Sequence, residues 1–177
     1  MKTATLPKQL DLRGLAARGT TVSGTVAPGE LPRLDEAGVA LAGPLMASFS
    51  LRRDENSRSV VAAEVTATFI MQCQRCLGEV PVTLTTSSVM ACVWTDDEAA
   101  ALPAFYEPLI VTHEAVLRDI VEEEILLALP SFPAHENECK TSEQVAALEP
   151  INGSCDEVTE VRAQADNPFG VLEQLKN

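Results

Sequence analysis

Two thiols with two residues between them, in the run Cys73-Gln74-Arg75-Cys76, are the side chains best spaced for chemistry in this 177-residue chain. Such a pair reaches one tetrahedral zinc ion from a tight turn when two further ligands arrive from elsewhere. His135 and Cys139, four residues apart, are the first candidates to complete the set, with Cys155 in reserve. A second Cys-X-X-Cys, which would make the signal much more specific, is absent. Two other readings stay open: a redox-active dithiol, and reduced thiols in a structural turn. The redox reading wants the pair where a strand opens a helix in a βαβ unit; here strand-like sequence flanks it on both sides. No cofactor is expected, structural zinc being the one the residues could hold.

The remaining reactive side chains point away from catalysis. Cys92 sits within an apolar strand pattern and reads as a small buried side chain. His113 has no serine or carboxylate partner close in sequence and makes a poor catalytic base. No phosphate-cradling glycine loop, nucleophile elbow or paired-histidine metalloprotease motif occurs, so no enzyme activity is expected. Arg52, Arg53, Arg58 and Arg75 are candidates for an RNA-binding patch on neighbouring strands, although the interleaved aromatics of such surfaces are missing. Asp119, Glu122 and Glu123, with Phe169 and Leu172 near the end of the chain, are the candidate partner-binding residues.

These side chains must be positioned by an α+β fold. Residues 45–52 alternate Leu45, Ala47, Phe49 and Leu51 with Met46, Ser48, Ser50 and Arg52, the period of a half-buried strand. A polar turn over 53–57 leads into 59–73, where Val61, Ala63, Val65, Ala67 and Phe69 share a face, and 80–94 repeats the pattern. Short connections make these an antiparallel meander, or a partly closed barrel-like sheet. Residues 20–26 and 108–111 read as further strands, and 10–17, 30–37 and 95–102 as short helical pieces. The main packed helix is predicted over 114–129: Leu117, Ile120, Val121 and Ile125 recur at helical spacing and Pro130 ends it. Asp119 and Glu122 to Glu124 are predicted on its outer side. The expected core is Val65, Ala67, Phe69, Val82, Leu84, Leu117, Ile120, Val121 and Ile125.

Length and composition imply a single α+β domain over 1–134, followed by irregular C-terminal segments. Residues 135–166 read as a mobile acidic linker, and 167–177, with an Asn cap and Pro at the first helical position, as a short docking helix. The net charge is −13 and unevenly spread: eight Lys and Arg face six Asp and Glu up to Arg58, leaving five against twenty beyond it. Such a surface repels a naked polyanion and favours a basic protein partner, or simply solubility. With no cleavable leader pattern, no span-length apolar run and an odd number of irregularly spaced cysteines, the chain is expected in the cytoplasm, with reduced thiols and no membrane contact.

Four landmarks fall in one order: Leu6-Pro7, the Cys73 to Cys76 run, Ile125-Leu126-Leu127-Ala128-Leu129-Pro130 followed by His135 and Cys139, and Asn167-Pro168-Phe169. Together with Ala101-Leu102-Pro103 and Tyr106-Glu107-Pro108, the sequence resembles the YceD family of large ribosomal RNA subunit accumulation proteins over nearly its whole length. The resemblance implies an accessory role in synthesis, processing or stability of 23S ribosomal RNA, with no catalytic residues to carry over. Within it, the first expectation is an adaptor for a basic ribosomal or rRNA-processing protein. Direct binding of precursor ribosomal RNA and a zinc-stabilised interaction domain of unrelated role are the alternatives. Some members resembling it carry a richer cysteine cluster after the helix, of which this chain keeps Cys139 and the distant Cys155.

Overall fold

The computed structural model describes residues 4–140. In chain order the elements are β1 (Gln9–Leu10), α1 (Leu12–Ala16), β2 (Thr21–Val26), α2 (Pro32–Glu36), β3 (Ala40–Leu41), β4 (Leu45–Arg53), β5 (Ser59–Gln72), β6 (Glu79–Val93), α3 (Asp96–Ala100), β7 (Glu107–Ile110), β8 (Ala115–Val116) and α4 (Leu117–Ala128). Residues 141–166 of the expected linker, and the expected helix over 167–177, lie outside the described residues.

The period-two segments form the sheet as the sequence predicts. β4, β5 and β6 are an antiparallel meander, with β2 antiparallel on the outer side of β4. β5 outruns β4, and its later residues pair with β3 instead, Phe69 opposite Leu41 and Ile70 opposite Ala40. The alternation works because successive side chains point to opposite faces. Phe49, Leu51, Val61, Val65 and Phe69 are buried on one face, while on the other the hydroxyls of Thr66 and Thr85 lie 3.3 Å apart and those of Thr68 and Thr83 3.0 Å.

Among the described residues the sheet is open, with β2 and β7 at its two ends, in keeping with the meander. One feature departs from the expectation. Beyond β6 the meander gives way to a parallel pairing, Met90 with Glu107 through Val93 with Ile110. The intervening segment supplies the crossover that parallel strands require, and α3, capped by the Thr95 hydroxyl, lies within it.

α1 packs on β4 and β5, and α4 on β5 and β6, covering the apolar face. Leu117, Ile120, Val121 and Ile125 are buried there as predicted, joined by Leu6, Leu12, Leu31, Leu34 and Leu45. Each fully buried side chain of this size contributes about 1.5–3 kcal/mol. Val82 and Leu84 are only half-buried, because the helix covers the other end of β6 more fully. α4 begins later than the sequence predicts, since Ala115 and Val116 pair with β1 and the Leu117 N–H donates to the Lys8 carbonyl at 3.0 Å. It ends before Pro130, where Leu129 turns extended as a residue preceding proline must.

Candidate metal centre

The turn between β5 and β6 gathers the thiols. The Cys73 N–H donates to the Gly78 carbonyl at 2.8 Å and the Leu77 N–H to the Cys73 carbonyl at 2.9 Å, with Leu77 in the left-handed region at φ 62°. This folds Cys76 back over Cys73. The chain after α4 then returns to the same turn: the Gln74 N–H donates to the Pro133 carbonyl at 2.8 Å. The Arg75 guanidinium donates to the carbonyls of His135 and Asn137, the latter at 2.8 Å. Residues 135–139 thus lie against the hairpin rather than leaving it at once, and they carry the two remaining ligand side chains.

Cys73, Cys76, His135 and Cys139 place one ligand atom each within 4.8 Å of the others. The Cys73 and Cys139 sulfurs are 3.7 Å apart, and the Cys76 sulfur is 3.6 Å from Nδ1 of His135. A tetrahedron with Zn–S of about 2.3 Å and Zn–N of about 2.05 Å has S···S edges of about 3.8 Å and S···N edges of about 3.6 Å. Both separations fit that figure. They do not fit a disulfide, whose sulfurs stand about 2.05 Å apart, and all four described cysteines are free. Nε2 of His135 lies 3.0 Å from the Glu79 carbonyl; a proton on that nitrogen leaves the Nδ1 lone pair facing the sulfurs, the second-shell arrangement usual for a ligating histidine.

The electrostatics also suit a cation. Burial pushes the Cys73 thiol up, but N–H groups of Cys76, Arg75 and His135 aimed at its sulfur outweigh burial and bring it down to about 5. The thiolate is the metal-binding form. Burial, then the neighbouring thiols of Cys76 and Cys73, push Cys139 up. Three thiols and an imidazole converging in a closed shell form a structural set, since a catalytic zinc keeps a position open to water.

The other candidate residues scatter. Arg52, Arg53 and Arg58 sit where β4 turns into β5, while Arg75 sits in the turn at the far end of β5 and is spent on carbonyls. Over fourteen residues of strand the two ends are about 40 Å apart, so the four arginines make no single patch. On α4, Asp119 and Glu123 are exposed, but Glu122 is 2% exposed. Its carboxylate accepts the Arg33 backbone N–H at 2.7 Å, closing the first turn of α2. Glu124 also turns inward, accepting from the Ser88 hydroxyl at 2.6 Å. Phe169 and Leu172 lie outside the described residues. Cys92 is buried, which pushes its thiol up, and His113 is exposed.

The family model described as large ribosomal RNA subunit accumulation protein YceD matches residues 61–176. A curated relative from Haemophilus influenzae (strain ATCC 51907 / DSM 11121 / KW20 / Rd), named large ribosomal RNA subunit accumulation protein YceD, is 32% identical over 179 aligned residues, 99% of each chain. The chain belongs to the YceD family. No solved structure is significantly similar to it. Within this YceD-family fold, the sequence pattern reaches the four ligand residues but misses what fixes them: the Glu79 carbonyl behind His135, and the Arg75 clasp on 135–137. The alternation of β5 and β6 predicts the hairpin; backbone acceptors leave no trace in composition.

Proposed function

We propose that this chain is a non-enzymatic accessory factor in large-subunit production, acting in the cytoplasm to support synthesis, processing or stability of 23S ribosomal RNA as an adaptor for a basic ribosomal or processing protein. The observation that carries the reading is the end-to-end match to a relative named for large ribosomal RNA subunit accumulation. Charge supports the adaptor role. Carboxylates outnumber basic side chains four to one beyond Arg58, and complementary charge speeds encounter and selects partners. Asp119 and Glu123, one turn apart and exposed on α4, are the part of the candidate partner set that lies on the described surface, Glu123 there pairing with Arg33 at 2.8 Å. Zinc held by Cys73, Cys76, His135 and Cys139 would staple the residues after α4 to the β5–β6 turn, a structural role rather than a reactive one. Among the described residues no helix is long and apolar enough to cross a membrane.

Removing the gene and measuring 23S against 16S ribosomal RNA in growing cells tests the reading. A fall in 23S alone is expected, restored by the intact chain and poorly restored by Asp119→Lys with Glu123→Lys. Purified basic large-subunit proteins should bind the immobilised chain at low salt and release as salt rises. An unchanged 23S level sinks the proposal; capture of RNA without basic protein sinks the adaptor part.

A further inference from the structure

At the end of the sheet away from the thiols, a cavity of about 520 Å³ opens between α1, the β4–β5 turn and the end of β6. Three guanidinium groups line it, from Arg13, Arg53 and Arg58, beside Trp94 and Glu98. In a chain of net charge −13 this is an uncommon concentration of positive charge, and it sits next to the sole tryptophan. Trp94 is 49% exposed. Its backbone N–H donates to Oε2 of Glu98 at 2.8 Å, which occupies the one carboxylate lining the cavity.

The cations are not fully spent within the protein. Arg13 stacks its guanidinium carbon 3.9 Å from the Trp94 ring centre and donates from Nη2 to the Val111 carbonyl at 3.3 Å, but its buried Nε has no partner among the described residues. Arg58 reaches Oδ2 of Asp54 only at 3.5 Å, and Asp54 also accepts from the Asn56 and Arg58 N–H groups and the Tyr106 hydroxyl. Arg53 is exposed and makes no ion pair with any described residue. Guanidinium donors match phosphate oxygens, and a partly exposed indole backed by a guanidinium is a stacking platform for a base.

We propose that the cavity bounded by Arg13, Arg53, Arg58 and Trp94 binds one nucleotide of single-stranded RNA, its phosphate on Arg53 and Arg58 and its base on the indole of Trp94. The site goes beyond the adaptor reading and does not depend on it. Duplex RNA is a poor fit, because its bases are stacked on each other and its recognition runs through shape and the minor groove.

Trp94 emission reads the site directly, as no other tryptophan contributes. Titrating the full chain with a short single-stranded RNA at about 50 mM salt is expected to give saturable quenching, paralleled by a rise in anisotropy of labelled RNA. Arg53→Glu should weaken both about tenfold or more with an unchanged circular dichroism spectrum, and Trp94→Phe should weaken the anisotropy signal. The salt slope should fall by about 0.7 for each phosphate contact removed. Any of four results overturns the proposal: no saturable change, equal affinity for Arg53→Glu, preference for a duplex, or full competition by inorganic phosphate, which lacks a base, at equal concentration. Loss of 23S accumulation on deleting the gene is a separate readout, so either reading fails without the other.

Discussion

The Glu122 carboxylate accepts the backbone N–H of Arg33 at 2.7 Å, across 89 residues of sequence. α2 starts at Pro32 with no side-chain cap of its own, so a residue of α4 supplies the acceptor its first turn lacks. The neighbouring Arg33 side chain pairs with Glu123 at 2.8 Å on the surface. Glu122→Ala leaves a part-buried N–H without its acceptor and is expected to cost about 1–3 kcal/mol, whereas Glu123→Ala, breaking an exposed pair, should cost under about 1 kcal/mol. Urea unfolding of the two variants separates them. Equal losses would refute the capping role.

A second constraint sits at Gly24 in β2. A Cβ there would lie 2.6 Å from the Leu6 nitrogen, 2.7 Å from its Cα and 2.9 Å from the Ala4 carbonyl oxygen, all backbone atoms. The opening segment crosses β2 that closely because the Leu6 N–H donates to Thr25 and the Thr25 N–H to Ala4, both at 2.9 Å. Gly24→Ala should therefore cost about 1–3 kcal/mol through forced backbone shifts, and the Leu6 amide should lose hydrogen-exchange protection ahead of the β5 amides. A Tm unchanged by the substitution would mean the segment yields without cost.

What the sequence made legible was local. The alternation in β4, β5 and β6 is written in neighbouring residues, as are the Pro130 stop and the Thr95 cap. The four candidate ligand residues could be read because Cys and His are few. Relationships between distant segments left no such mark. The β1–β8 ladder, which shortens α4 from its front, is two residues long on each side. The inward turn of Glu122 depends on a backbone donor in α2, and amphipathic spacing alone put it outside. Arg13 and Trp94 meet only because α1 lies over β4 and β5 next to the end of β6, so the aromatic partner missing around the arginines in sequence is supplied in space.

Glu124 gives a pH signature. Burial pushes its carboxyl up, the Ser88 hydroxyl opposes this, and the charges of Glu107 and Glu123 add to the rise. Its folded value therefore stands above its unfolded one. Between the two the native state holds more protons, so stability falls as pH rises through that window. Glu124→Gln keeps an acceptor for Ser88 and removes the charge. The variant is expected to be the more stable at pH 7, by less than about 1 kcal/mol because the side chain is only half-buried and water screens it. The difference should vanish at a pH well below the ordinary glutamate value of about 4.3, where the carboxyl is neutral in both the folded and the unfolded state. A variant less stable than the parent at pH 7 would show that the ionised carboxylate helps the fold.

The proposed zinc ties the residues after α4 to the β5–β6 turn, and its removal has a predictable reach. The core beneath β4, β5 and α4 is apolar and does not need the metal, so the sheet should survive chelation. Loss should be local to the turn at 73–78 and the returning segment at 131–139, where the Gln74 to Pro133 and Arg75 to Asn137 bonds depend on the two pieces staying together. Protein purified without chelator should carry about one zinc per chain. A strong chelator, or Cys76→Ser, should lower the Tm by about 10 °C or more and expose the Gln74 amide to exchange while the Val65 amide stays protected. Metal-free protein with the same Tm and the same protection at Gln74 would leave the four side chains as reduced thiols and a histidine in a structural turn, with zinc playing no part.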